Sequence, residues 1–372
     1  LDSSAIAGSI NQLRTNPEAP HTLSMTYDNS PGWSDALYLS AIRAACAMQH
    51  HGVDSSDHDP LENMGAAIEA LDGPCLAIGL SANLGLFAVA EELKLKTLFN
   101  GHGGDEVVSW GAGRLIELAQ EGRWIALWRE SEGIARITNT ARWRIFDRHL
   151  LYNPAWRTLR RLFWRLRQGL RIGPQPDAQT TSTKATLLSV ELDAAHPEGA
   201  EDRPSPAQGN VTERDLQQRI LKDPLQAHSL ETLTLAARHF GIELAMPFYG
   251  RELVEFSLSL PAEWKLRGGQ TRFVLSEAMR GRIPEKIAKR TDKHDFGQDF
   301  VRNVITSEMI RNLTRDPSDT LLPYVNADRL RSIWAKVEHN QNAVSVHDAR
   351  ALWMVAVLAL WLDSDRDACL RA

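Results

Sequence analysis

One short stretch constrains this chain more than any other. The apolar run Thr97-Leu98-Phe99 leads straight into Gly101-His102-Gly103-Gly104-Asp105-Glu106. Glycine lets a backbone turn tightly and approach a ligand closely, and an acidic pair follows at once. A carboxylate beside a loop that can cradle phosphate suits Mg2+, a hard ion that prefers oxygen ligands. Taken alone, the loop reads equally well as an ordinary glycine-rich turn before a helix, with Asp105 as its cap.

The surroundings of the loop suggest an α/β chain. Ile6, Ile10 and Leu13 recur at helical spacing, and Thr22–Tyr27 alternates apolar and polar residues as a strand does. Ser34 can cap a helix reaching about Gln49, with Leu37, Ile42 and Cys46 inward. Pro60–Leu71 and Leu86–Leu93 read as further helices. This order predicts an open, mostly parallel sheet flanked by helices, in which ligands sit at the carboxyl ends of strands. The Gly101 loop is at such an end.

Beyond the loop the character changes. Residues 111–172 are helical in pattern and dense in arginine and tryptophan, with Trp124, Trp128, Trp143, Trp156 and Trp164. Residues 173–213, rich in Pro, Ser, Thr, Ala and Gln, read as a flexible linker. The organisation expected is a nucleotide-binding α/β part over 1–110, the helical insertion, the linker, and a helical C-terminal part over 214–372. In that last part Arg214–Phe240 reads as helix and Pro284 marks a turn or helix start.

Composition excludes several classes. The 372 residues, 43% of them hydrophobic, are ample for a large core. With 42 basic and 47 acidic side chains the net charge is -5, so no basic excess advertises nucleic acid. The most apolar run, Ala351–Leu362, is too short for a bilayer span of about 20 residues and reads as a buried core helix. Cys46, Cys75 and Cys369 have no metal-ligand spacing, which suits buried or incidental thiols in a reducing cytoplasm.

Two further segments bear on the loop. Leu1-Asp2-Ser3-Ser4 resembles the second half of Ser-Gly-Gly-x-Asp-Ser, the pyrophosphate loop of ATP pyrophosphatases, whose backbone N–H groups cradle phosphate at a helix N-terminus. Gly241-Ile242-Glu243-Leu244-Ala245-Met246-Pro247-Phe248 resembles the Gly-Val-Glu-x-Arg-x-Pro-Phe stretch of asparagine synthetases. It is followed by Leu253-Val254-Glu255-Phe256, Leu260-Pro261, Lys265–Arg272, Ile283-Pro284 and Arg290–Phe296 in the order and spacing of that family. With Phe99–Glu106, the resemblance to the asparagine synthetase family covers nearly all of the chain except about 111–215.

The resemblance implies a PP-loop synthetase domain of adenine nucleotide alpha hydrolase-like fold. It also implies a chemistry in which ATP and Mg2+ activate a carboxylate as an acyl-adenylate and an amine then attacks. Carried over by position, Asp2 and Asp105 match the Mg2+-binding aspartates, and Lys293 matches the lysine that stabilises negative charge in the transition state. Leu1, Asp2, Ser3, Leu23, Ser24, Met25, Gly101 and Gly103 fall at nucleotide-binding positions. His102 is a departure: asparagine synthetases carry Glu here, and beta-lactam synthetase carries a Tyr that works with a downstream Glu to deprotonate the attacking amine. Glu231 falls at the matching downstream position. A histidine oriented by a carboxylate is a sound general base near neutral pH. Glu243 is read as structural.

Within the family, Gly101–Glu106 and Gly122–Glu130 resemble bacterial lasso peptide cyclases. Those enzymes adenylate an Asp or Glu side chain of a precursor peptide, and the freed N-terminal amine closes a macrolactam. That resemblance implies a precursor peptide as substrate, and a leader-binding protein and a leader peptidase as partners. The alternatives are a glutamine- or ammonia-dependent asparagine synthetase and a PP-loop enzyme that modifies tRNA, for which the basic-aromatic segment would be the RNA surface. Because the Ser-Gly-Gly half of the first motif is missing, the native protein is expected to extend upstream, with a glutaminase-like domain as in the family.

Overall fold

The computed structural model describes residues 1–15, 18–27, 35–56, 58–156, 158–159, 210–290 and 297–369, with the side chains of 364–369 left out. Helix α1 (Asp2–Leu13), strand β1 (His21–Thr26), α2 (Asp35–Ala45) and β2 (Gln49–Asp54) come first, then α3 (Met64–Leu71), α4 (Leu80–Glu92) and β3 (Thr97–Phe99). A π-type turn over Gly104–Ser109 leads into α5 (Gly113–Gln120), α6 (Trp124–Ile137) and α7 (Arg142–Leu150). After residue 209 follow α8 (Glu213–Lys222), α9 (Pro224–His239), β4 (Glu243–Ala245) and α10 (Arg251–Ser259). A short hairpin, β5 (Leu266–Arg267) and β6 (Gln270–Thr271), precedes α11 (Phe273–Ala278) and α12 (Glu285–Ala288). Helices α13 (Gly297–Thr306), α14 (Glu308–Thr314), α15 (Ala327–His339) and α16 (Val346–Cys369) complete it.

The chain is mixed α/β, but the expected single sheet is replaced. The described strands form three separate pairs: β1–β2 and β3–β4 are parallel, and β5–β6 is antiparallel. Strands of three residues, as β3 and β4 are, contribute few ladder bonds, so the helices packed around them set their position. Leu98 and Leu244, one from each strand, pack onto the large helical core.

That core is built around α16, whose Ala351, Leu352, Trp353, Val355, Ala356 and Val357 are buried as expected for the apolar run. Trp353 is fully buried and its indole N–H donates to the Pro60 carbonyl at 3.1 Å, so the ring carries no unsatisfied donor into the interior. No helix among the described residues is long and apolar enough to cross a membrane. A second apolar cluster lies within α5–α7, from Leu115, Leu118, Leu127, Ile134, Ile145 and Leu150, and Leu266 of β5 joins it. A third ties Ala5 of α1 to Met279, Ile283 and Ile287.

Several sequence expectations are corrected. The helix after Ser34, a residue outside the described set, ends at Ala45 rather than near Gln49, and Gln49–Asp54 is strand β2. Its sequence Gln-His-His-Gly-Val-Asp has no apolar alternation; in-register pairing with β1 makes it a strand. Leu37 is exposed, whereas Cys46 is buried. The helix read from Leu86 begins at Leu80. The helix read over Arg214–Phe240 is two helices, broken where Asp223 caps α9 and Pro224 opens it; proline cannot donate to the preceding turn. Residues 173–209 of the expected linker lie outside the described residues.

Candidate active site

The pairing of β3 with β4 places two strand ends side by side. Phe99 lies opposite Ala245, and the Asn100 amide donates to the Ala245 carbonyl at 2.9 Å. Strand β3 therefore enters the Gly101 loop just where β4 enters Pro247-Phe248-Tyr249. The Asn100 side-chain oxygen accepts the His102 amide at 2.8 Å, and the Val107 amide donates to the Gly103 carbonyl at 2.7 Å. Gly103 has φ of 95°, open to glycine at little cost. A side chain there would also strike the Tyr249 ring at 2.7 Å.

The same loop lies directly on the N-terminal segment. A Cβ on Gly101 would sit 2.7 Å from the Ser3 amide nitrogen, and one on Gly104 would sit 2.7 Å from Asp2 Oδ1 and overlap the Asp2 carboxyl carbon. The glycines are thus required by close backbone approach, and the two expected halves of the site, Leu1–Ser3 and Gly101–Asp105, are brought into contact. Leu23, Ser24 and Met25 lie half-buried on β1, paired with His51, Gly52 and Val53 of β2.

Arg272 closes the arrangement. Its Nη1 lies 2.6 Å from Asp2 Oδ2 and 2.8 Å from Asp105 Oδ1, so one cationic nitrogen serves both carboxylates. The Asp105 oxygen also accepts the Trp110 indole N–H at 2.5 Å. Arg272 stands in the left-handed region at φ of 51°, immediately after the β5–β6 hairpin. Arg272 lies within the family-like stretch Lys265–Arg272, and the sequence alone assigns it no role. Two acids meeting in one site imply a counter-cation, but nothing local distinguishes Arg272 from the other arginines.

His102 and Glu231 are not joined. The His102 ring lies against Tyr249 with centroids 6.0 Å apart, and its Nε2 is buried with no hydrogen bond among the described residues. Glu231 is exposed on α9, because the neighbouring Thr232 and Leu233, with Ala236 and Ala237, form the buried face of that helix. The expected dyad is therefore not assembled in this structure. Tyr249 is instead the group beside His102. Its hydroxyl donates to Gln226 Oε1 at 3.2 Å, and burial, helped by the charge of Glu106, pushes its pKa up to about 12. It stays protonated at any physiological pH. Lys293 lies outside the described residues. Arg290, three positions earlier, pairs with Asp35 at 2.5 Å and stacks on Tyr38 at 4.2 Å.

Behind the acidic loop lies a buried polar network that sequence reasoning did not find. Lys265 is fully buried and its Nζ donates to Gln217 Oε1. The Gln217 amide then donates to the Val107 carbonyl, which also accepts from the Ser257 hydroxyl at 2.5 Å. Glu213 accepts from the Ser109 hydroxyl and, at 2.7 Å, from the Gly113 amide. Burial pushes the Glu213 carboxyl up, against the Ser109 hydrogen bond and the Lys265 charge, and burial pushes Lys265 down. The network supplies partners to a loop whose π-type turn leaves ordinary helical bonds unmade.

No three His, Cys, Asp or Glu side chains gather into a metal cluster among the described residues. Asp2 and Asp105 supply two carboxylates facing one cation. The chain matches a family model described as asparagine synthase over residues 1–363. A search of curated proteins finds no match.

Proposed function

We propose a function from this premise: the chain belongs to the asparagine synthase family, and with it to the ligases that form amide bonds at the expense of ATP. In our reading it closes a macrolactam in a peptide of lasso-precursor type. A side-chain carboxylate oxygen of Asp or Glu attacks the α-phosphorus of ATP, and pyrophosphate leaves. The N-terminal amine of the same peptide attacks the acyl carbon, AMP leaves with the bonding electron pair, and the amine's proton is taken up by a base.

The observation that carries this reading is the convergence of Asp2, Asp105 and Arg272 from three distant segments onto one point beside the glycine loop. Two carboxylates are the donors that Mg2+ prefers, and Mg2+ keeps waters and phosphate oxygens for its other positions. Bound there, Mg2+ would offset the charge of the departing pyrophosphate. Arg272 already holds a positive charge at the same point. His102 Nε2, buried and without a hydrogen bond among the described residues, is the proton acceptor; Tyr249 packs beside its ring. Lys293 is assigned to the developing negative charge by its position in the family motif.

Peptide as substrate, rather than free aspartate, is supported by the insertion. Trp124, Ile125, Trp128 and Trp143 of α6 and α7 are exposed, Trp143 by 58%. Arg142 stacks over Trp128 at 4.5 Å and Arg144 over Trp143 at 5.4 Å. Aromatic faces with cations above them suit a folded peptide chain. The partners in this reading are a leader-binding protein and a leader peptidase. The test is mass spectrometry of a candidate precursor incubated with ATP, Mg2+ and those partners. Loss of one water from the core peptide, with AMP released, is the expected result. Asparagine made from aspartate would overturn it.

A further inference from the structure

The insertion meets the hairpin that carries Arg272 through a defined set of hydrogen bonds. Glu130 of α6 accepts the amides of both hairpin-turn residues: Gly268 to Oε1 at 3.2 Å and Gly269 to Oε2 at 2.8 Å. A carboxylate spanning two successive amides makes charge-assisted hydrogen bonds, stronger than neutral ones. Gly133, one helical turn further on, packs so closely that a Cβ there would lie 2.9 Å from the Gly269 Cα and overlap its carbonyl oxygen. Gly268 and Gly269 have φ of 59° and 77°, the two left-handed positions of a tight hairpin turn.

Both ends of that hairpin are tied as well. Leu266 is fully buried in the insertion's apolar cluster, and a side chain on Gly111, just past the acidic loop, would strike its Cβ at 2.6 Å. Gln270 donates to the Ser276 hydroxyl at 2.6 Å. Arg272 follows two residues later and makes the double contact with Asp2 and Asp105. Only Gln270 and Thr271 separate the turn held by Glu130 from the residue whose guanidinium joins the acids, and the strand between is pinned on both sides. A shift at the turn therefore has little slack in which to die out.

We propose that Glu130 is a positioning residue: by clamping the Gly268–Gly269 turn it sets where the hairpin delivers Arg272, and so links the aromatic insertion to the acid pair. The link deepens the reading above, because a peptide held on α6 and α7 would then be felt at the nucleotide site.

The test is hydrogen–deuterium exchange on the full chain without nucleotide, comparing wild type, Glu130→Ala, Arg272→Met and the double variant. Glu130→Ala, which removes two charge-assisted hydrogen bonds, is expected to speed exchange in residues 101–106 by at least roughly tenfold, the factor that one such bond alone would give. Arg272→Met should do the same, and the double variant should exchange no faster than Arg272→Met alone. The proposal is overturned if Glu130→Ala speeds exchange only at the hairpin, or if the two effects multiply. Should Glu130→Ala fold poorly, Glu130→Gln, which keeps one acceptor oxygen, is expected to show a smaller change of the same sign. A second arm measures the Mg2+ concentration for half-maximal AMP release, expected to rise in Glu130→Ala. If wild type releases no AMP the functional reading fails, while the exchange result still decides the positioning role.

Discussion

The acidic loop and the aromatic insertion adjoin in sequence and are held by opposite means. The loop is a place where backbones nearly touch: Gly101 and Gly104 lie against Asp2 and Ser3, and the structure around them is secured by ion pairs and buried hydrogen bonds. The insertion has an apolar cluster of its own and leaves tryptophans at its surface. Polar and close-approach contacts have steep distance dependence, so the loop tolerates almost no change of shape. Apolar burial scales with area and is forgiving of which residues supply it. One region is thus built to hold atoms in position, and the other to present a surface that can vary.

The largest effect that would break this contrast is at the loop. Gly104→Ala places a methyl into the Asp2 carboxylate. It is expected to lower AMP formation by about 10²–10³-fold, the scale seen when one group of a charge-stabilising site is displaced, with the melting temperature changing far less. Product assay and calorimetry on the same preparation check this. In the insertion the balance should reverse. Leu118→Ala opens a cavity at a fully buried position and is expected to cost about 2–5 kcal/mol of stability. In denaturant melts that loss should come with Mg2+ and ATP affinity close to wild type.

The smallest effect sharpens the boundary between the two regions. Thr212 and Asp215 form a capping box at the start of α8, next to Glu213. The hydrogen bond from the Thr212 side chain, then that from its backbone amide, holds the Asp215 carboxyl below its ordinary range. A lowered folded value means stability that is complete above the unfolded value and is lost as pH falls through the folded one. Asp215→Asn keeps a polar acceptor but cannot titrate, so it should flatten the acid limb of stability below about pH 4. Urea melts across pH 2–6, a span chosen about the reference carboxylate value, would read this. An unchanged acid limb in the variant would mean that the box contributes nothing to it.

Much of the site was legible before the fold, and the reasons are local. The spacing of glycines in 101–104 follows from close approach, and Asp2 and Asp105 lie within the span 1–363 that matches the family model. Helix α1 was legible because apolar residues recur at helical spacing, and α16 because the unbroken apolar run Ala351–Leu362 is too short for a bilayer span and reads as buried core. Strand β2 was not, since Gln49–Asp54 owes its extended form to a partner about 28 residues away and carries no apolar alternation. The pairing of His102 with Glu231 was expected from position along the chain; no hydrogen bond joins them among the described residues, where α9 turns Thr232 and Leu233 inward and leaves Glu231 exposed.

By itself the sequence determined which residue types were available at the loop, the acid pair and the insertion, because glycine, carboxylate and tryptophan act through their own chemistry wherever they sit. Only the tertiary structure decided that Arg272 joins Asp2 to Asp105, that Lys265 and Gln217 brace Val107 from behind, and that Glu130 reaches the hairpin turn. Each of these is a contact between segments from 48 to 270 residues apart. Hydrogen bonds need donor and acceptor within about 3 Å, and ion pairs are strongest at contact, so such partners are chosen by how helices pack and not by any pattern along the chain.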